Sequence, residues 1–161
     1  MYYSMQAQWT ARQLADALAP TQSAGDRAKA MRRIQHWTAE ELVDPVSLRH
    51  SGRGTVRRYS PASLLEAALL WEMAERNLSI EQMRMVLTVI RFSRAEPDPF
   101  QAALNGSRRV LALVNLSDRL RPLADLDPAN PTIPPDWPIG IWIDLTAAFA
   151  RLRPYLLDSP Q

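Results

Sequence analysis

The chain has 161 residues, 47% of them apolar and 22% charged, with a formal net charge of +2, which suits a soluble globular protein with one ordinary core or two small ones and excludes disorder throughout. The absence of cysteine removes any disulfide framework and any thiolate metal site, and the separation of His36 from His50 argues against a histidine zinc site. No run reaches the ~20 apolar residues of a membrane helix, and MYYSMQAQWTARQ lacks a charged leader followed by an apolar block, so the expected compartment is the cytoplasm, with no membrane partner.

Thr10 and Gln13 have capping-box spacing for a first helix over Thr10 to Leu18, in which Ala11, Leu14, Ala15 and Leu18 form one apolar stripe. Pro20 ends it. Ser23 and Asp26 then cap a second helix reaching about Glu41. Within that helix Lys29, Arg32, Arg33 and His36 fall in one narrow arc, while Ala30, Ile34 and Trp37 lie together on a neighbouring one. The apolar arc is expected inside, with Trp37 as core, and the basic arc outside.

Asp44-Pro45 breaks the helical pattern. Val46 to Arg49 and Thr55 to Tyr59 read as short paired strands around the turn Ser51-Gly52-Arg53-Gly54, a hairpin of minimal size. Eight basic residues (Arg27, Lys29, Arg32, Arg33, Arg49, Arg53, Arg57, Arg58) face three acidic ones (Glu40, Glu41, Asp44) between Arg27 and Arg58, a local balance of +5. Residues 95 to 161 instead hold six basic and eight acidic side chains. The positive charge is concentrated at one end, as for a polyanion partner bound there.

Ser60-Pro61 is a cap followed by proline at the first helical position, and the third helix runs through Leu64, Leu65, Ala68, Leu69 and Trp71 to Asn77, a residue that tolerates the left-handed helix end. Ser79 with Gln82 caps a fourth, with Ile80, Met83, Leu87 and Ile90 inward and Arg84, Arg91 and Arg94 outward. Pro97 and Pro99 stop helix propagation, making Glu96 to Phe100 a linker. Beyond it, Val110 to Leu116 and Ile139 to Leu145 have strand composition. An internal echo, Val114-Asn115-Leu116-Ser117 before Leu120-Arg121-Pro122-Leu123 and Ile143-Asp144-Leu145-Thr146 before Leu152-Arg153-Pro154-Tyr155-Leu156, reads as two strand-helix units with paired strands. Asp125 to Pro138, with five prolines, is expected to be an extended loop. Trp142, Trp137 and Phe149 are expected in a small core or a dimer surface.

The string Arg33-Ile34-Gln35-His36-Trp37-Thr38, Leu42-Val43-Asp44-Pro45 and Arg57-Arg58-Tyr59-Ser60-Pro61 resembles the MerR family of winged helix-turn-helix transcription regulators. The likeness extends over roughly residues 9 to 90 and on into the Ser79-Ile80-Glu81-Gln82-Met83 helix, with Glu40-Glu41 standing where such proteins usually carry a glycine. It implies a mainly α fold with small β elements: a winged helix-turn-helix DNA-binding domain over residues 1–94 and a small C-terminal α/β module over 95–161 for dimerisation or for an effector or partner. The partners implied are double-stranded DNA, a second copy in a homodimer, and RNA polymerase at a promoter. In that arrangement Arg32 and Arg33 suit guanine edges, with Lys29 and His36 beside them and Arg27 at the helix start. Arg53 suits a minor groove, Arg49, Arg57 and Arg58 suit phosphates, and the Tyr59 hydroxyl either donates to a phosphate or packs.

Arginines on a helix usually form only a solvated face, and it is the hairpin with its own arginines that shifts the weight toward DNA. The competing readings are a phage or mobile-element DNA-binding adaptor of excisionase or terminase type, and a protein-interaction module with an incidental basic face. No phosphate loop, nucleophile elbow or paired carboxylates are present, so neither catalytic residues nor a cofactor nor a metal is expected.

Overall fold

The computed structural model of this protein describes residues 8–19, 21, 23–46, 56–92, 100, 103, 105, 110–116, 119–126 and 139–157. The described fold is mainly helical, with β1 (Trp9–Thr10), α1 (Ala11–Leu18), α2 (Ala24–Ala39), β2 (Arg58–Tyr59), α3 (Pro61–Glu75), α4 (Ile80–Phe92), β3 (Val110–Leu116), β4 (Arg119–Leu126), β5 (Ile139–Asp144), α5 (Leu145–Ala150) and α6 (Arg153–Leu157). The chain divides into two compact units, residues 1–71 with 151–161 and residues 72–150. The expected boundary at 94 and 95 lies outside the described residues.

In the first unit the caps are those the sequence predicts. Thr10 Oγ1 accepts from the Gln13 amide at 3.2 Å while Gln13 Oε1 accepts from the Thr10 amide at 2.8 Å, so two of the orphan donors at the start of α1 are satisfied reciprocally. Ala19 leaves the helix in extended backbone, φ −64° and ψ 117°, the conformation imposed on a residue before proline. Ser23 Oγ then accepts from the Asp26 amide at 3.1 Å to open α2. Helices α1 and α2 pack on each other, with Leu14, Ala15 and Leu18 of the first and Ala30, Ile34 and Trp37 of the second all buried.

The end of α2 is set by a residue in an uncommon conformation. Glu41 has φ 59°, the Leu42 amide donates back to Trp37 O at 2.8 Å, and the Glu41 amide donates to Thr38 O at 3.3 Å. These are the two bonds of a Schellman closure, with a glutamate at its left-handed position. The turn aims the chain so that Leu42 and Val43 are buried, and Ser63 Oγ donates to Asp44 O at 2.9 Å to pin it to the start of α3. Ser60 Oγ accepts from the Ser63 amide at 3.1 Å, completing the cap-then-proline start. Asn77, at φ 58°, closes the far end of α3 in the same way, with Leu78 donating to Met73 O and Asn77 to Ala74 O, both at 3.1 Å. Helix α3 buries most of its circumference, through Leu64, Leu65, Ala67, Ala68, Leu69, Leu70, Trp71 and Met73, and keeps Glu66, Glu72 and Glu75 at least partly exposed.

The predicted hairpin is corrected in part. The chain does return antiparallel, since Pro45 bridges Tyr59 and the Val46 amide donates to Arg58 O at 2.7 Å. Residues 47–55, which include Arg49, Arg53 and the turn, lie outside the described residues. The ladder partner of β2 is β1, pairing Trp9 with Tyr59 and Thr10 with Arg58, and Val56 and Arg57 are not in a strand. A two-residue segment far away in sequence carries no local signal of that pairing.

In the second unit Ser79 and Gln82 cap α4 reciprocally, at 2.8 and 3.3 Å, and Met83, Val86 and Leu87 are its buried residues. Val86 belongs to that stripe although the sequence reading omitted it, whereas Ile80 and Ile90 are only half-buried. Arg84 and Arg91 are exposed, and Arg94 lies outside the described residues. Phe100, expected as the end of a linker, has helical backbone. The sheet has the order β4-β3-β5, antiparallel throughout, with Leu113 opposite both Pro122 and Ile141. Strand pairing of β3 with β5 is as expected, but the first strand-helix unit is a correction: residues 119–126 form β4, not a helix. Pairing with β3 draws these residues into the sheet, at whose edge among the described residues Pro122 is tolerated. The second unit keeps its helix, since Asp144 Oδ1 accepts from the Ala147 amide at 3.0 Å and starts α5. Phe149 is buried there, edge-on to Phe100 at 5.3 Å and 89°. Trp142 is 42% exposed, and Trp137 lies outside the described residues.

Candidate nucleic-acid interface

The charged residues of α2 share an arc in sequence, and their side chains separate into two groups in space. Lys29 Nζ lies 5.3 Å, and the Arg33 guanidinium carbon 4.4 Å, from the centre of the Trp71 ring, which is itself only 3% exposed. Both distances fall within cation–π range. The two cations are one helical turn apart, so a single aromatic ring on α3 receives them together. Arg32 and His36 stay exposed.

Gln35, also exposed, shares a face with Arg32 and His36 through their spacing of three and four residues. The sequence reading did not single it out, although its spacing from Arg32 was the available signal. The exposed face of α2 is therefore a row of three polar side chains capable of presenting hydrogen-bond donors and acceptors, set opposite Ala30, Ile34 and Trp37.

Arg27 stands at the start of the helix, where its Nε is 3.3 Å from Asp16 Oδ1 on α1, both side chains keeping substantial exposure. Such a surface pair contributes a few tenths to about 1 kcal/mol. Asp26, beside it, accepts a hydrogen bond from the Thr21 hydroxyl; that bond above all, helped by Ser23 and by Lys29, holds its carboxyl below its ordinary range. Asp26 therefore keeps its negative charge in the first turn of α2, where the helix dipole favours it.

On the returning arm, Arg58 is exposed and Arg57 half-buried. Val46 and Val56 are each 57% exposed. Of the two roles expected for Tyr59, a phosphate contact or packing, the structure shows packing: it is 1% exposed, and its hydroxyl lies 3.0 Å from Thr38 Oγ1, which in turn donates to Ile34 O at 2.8 Å. Its phenol closes a buried network between β2 and α2 and does not reach the surface. Arg49 and Arg53 lie outside the described residues. Among the described residues no group of three or more histidines, aspartates and glutamates comes together as a metal site, and no helix is long and apolar enough to cross a membrane. A comparison of the chain with models of known families and with curated proteins finds no match.

Proposed function

We propose that this protein is a sequence-specific DNA-binding transcription regulator of MerR-like, winged helix-turn-helix type, acting in the cytoplasm as a homodimer. The observation that carries the reading is the arrangement on α2, where Arg32, Gln35 and His36 stand exposed opposite a stripe buried with α1. A helix held along one side and polar along the other suits insertion into a major groove, where base edges are met by arginine and glutamine. The arm that returns from Pro45 and Val46 to Arg57 and Arg58 supports a basic wing on the backbone or minor groove. A dimer is supported by β5, which is an edge of its sheet among the described residues and carries the exposed Trp142, while Pro122 lies on the opposite edge strand β4.

The test is recovery of genomic DNA fragments on the purified protein, eluted across a salt gradient, with light scattering for the oligomeric state. A short inverted repeat that resists salt is expected for the wild type, and Arg32→Ala should weaken it by about 1–3 kcal/mol while relaxing its base preference. Uniform, salt-labile retention would instead favour an adaptor without sequence reading, and no retention would leave a solvated face.

A further inference from the structure

The sequence treats Arg32 and Arg33 as equivalent, but their surroundings differ. We propose that the polar residues of α2 divide their work: Trp71 holds Arg33 and Lys29 as a fixed cationic platform, while Arg32 and Gln35 are the side chains that determine base specificity. This deepens the DNA-binding reading of the same helix and rests on it.

The physical argument begins with the ring. Trp71 is buried, and its π face attracts the Arg33 guanidinium at 4.4 Å and the Lys29 ammonium at 5.3 Å. A guanidinium stacks well on such a face because it is planar and weakly hydrated. Reaching a base edge would require Arg33 to leave the ring, giving up the stack and uncovering aromatic surface. Any gain at the base is reduced by that loss. Arg32 has no such competing contact among the described residues and starts from solvent, so its bidentate bonds to a guanine edge are not offset in this way. Gln35, one turn further on, presents the amide pair that matches adenine. Two positive charges held beside the groove then raise affinity for any phosphate backbone without reading sequence. Trp71 is accordingly a positioning residue, acting on DNA only through the cations it holds.

The experiment measures binding of the full chain to a randomised duplex library at several salt concentrations, for the wild type, Arg32→Ala, Gln35→Ala, Arg33→Ala, Arg33→Lys and Trp71→Phe. Arg32→Ala and Gln35→Ala are expected each to erase preference at one base pair per half-site, Arg32→Ala by roughly 5- to 150-fold. Arg33→Ala should leave the preference profile intact and lower affinity for all sequences with a shallower salt slope, Arg33→Lys should restore most of that affinity, and Trp71→Phe, whose ring attracts the cations more weakly, should lower affinity for all sequences by less than Arg33→Ala and leave the profile intact. Loss of base preference in Arg33→Ala, or its retention in Arg32→Ala, overturns the division. A wild type without any preferred sequence overturns the DNA-reading proposal itself. In that case a urea-denaturation cycle between Arg33→Ala and Trp71→Phe still reads the stack: non-additive losses establish it as structural, and additive losses remove it as well. The cycle also detects a Trp71→Phe variant that fails to fold, leaving Arg33→Lys to decide.

Discussion

Replacing Glu41 by glycine should stabilise this protein. Glu41 sits at φ 59° in the closure that ends α2, a conformation that brings Cβ close to the following carbonyl and costs an L-residue about 1–2 kcal/mol. Glycine removes that cost but enters the folded state from a freer unfolded chain, an opposing effect of roughly 0.5–1 kcal/mol. The net gain is therefore on the order of 0.5–1 kcal/mol, equivalent to a rise of about 1–4 °C in melting temperature for a chain of this size. Urea unfolding followed by circular dichroism at 222 nm measures it. Three variants separate backbone strain from the loss of a charge: Glu41→Ala removes the carboxylate and keeps the strain, Glu41→Asn relieves part of it, and Glu41→Gly relieves all of it. The expected order of stability is glycine, then asparagine, then alanine. Asn77, at φ 58° in the equivalent closure of α3, is the internal control, and Asn77→Gly should gain less than Glu41→Gly. If Glu41→Gly proves no more stable than Glu41→Ala, strain at the left-handed position is not what this site stores.

Two further outcomes are expected. Tyr59→Phe removes the hydroxyl 3.0 Å from Thr38 Oγ1 while leaving Thr38 its bond to Ile34 O, so unfolding should become easier by about 0.5–1.5 kcal/mol, with affinity for DNA unchanged because the phenol is buried. Asp26, held below the ordinary carboxylate range chiefly by the Thr21 hydroxyl, and Glu81, lowered chiefly by its own amide and by Ser79, bind their protons more weakly folded than unfolded. Their contribution to stability is therefore complete above the ordinary carboxylate pKa of ~4 and lost as pH falls through their lower folded values. In melting temperatures measured from pH 6 down to pH 2, Asp26→Asn should flatten the acid limb, and a limb parallel to that of the wild type would refute the assignment.

The helical frame was legible because the signals that make it are local. Thr10 with Gln13, Ser23 with Asp26, Ser60 with Ser63 and Ser79 with Gln82 bond within three residues of one another, so the chain carries each cap wherever it folds. The stripe of Ala30, Ile34 and Trp37 follows from helical period alone, and the composition of β3 and β5 marked them as strands. What only the tertiary structure decided lies between residues distant in sequence. Arg32 and Arg33 are adjacent and chemically identical, and Trp71, brought across by α3, stacks on Arg33 while Arg32 stays exposed. Tyr59 could equally have reached solvent until pairing with β1 and the hydroxyl of Thr38 enclosed it. Residues 119–126 became a strand because β3 supplied a ladder, against a weak helical pattern already interrupted by Pro122. Local hydrogen bonds and periodicity are properties of a short segment, whereas burial, stacking and strand pairing depend on which distant surface arrives to satisfy them.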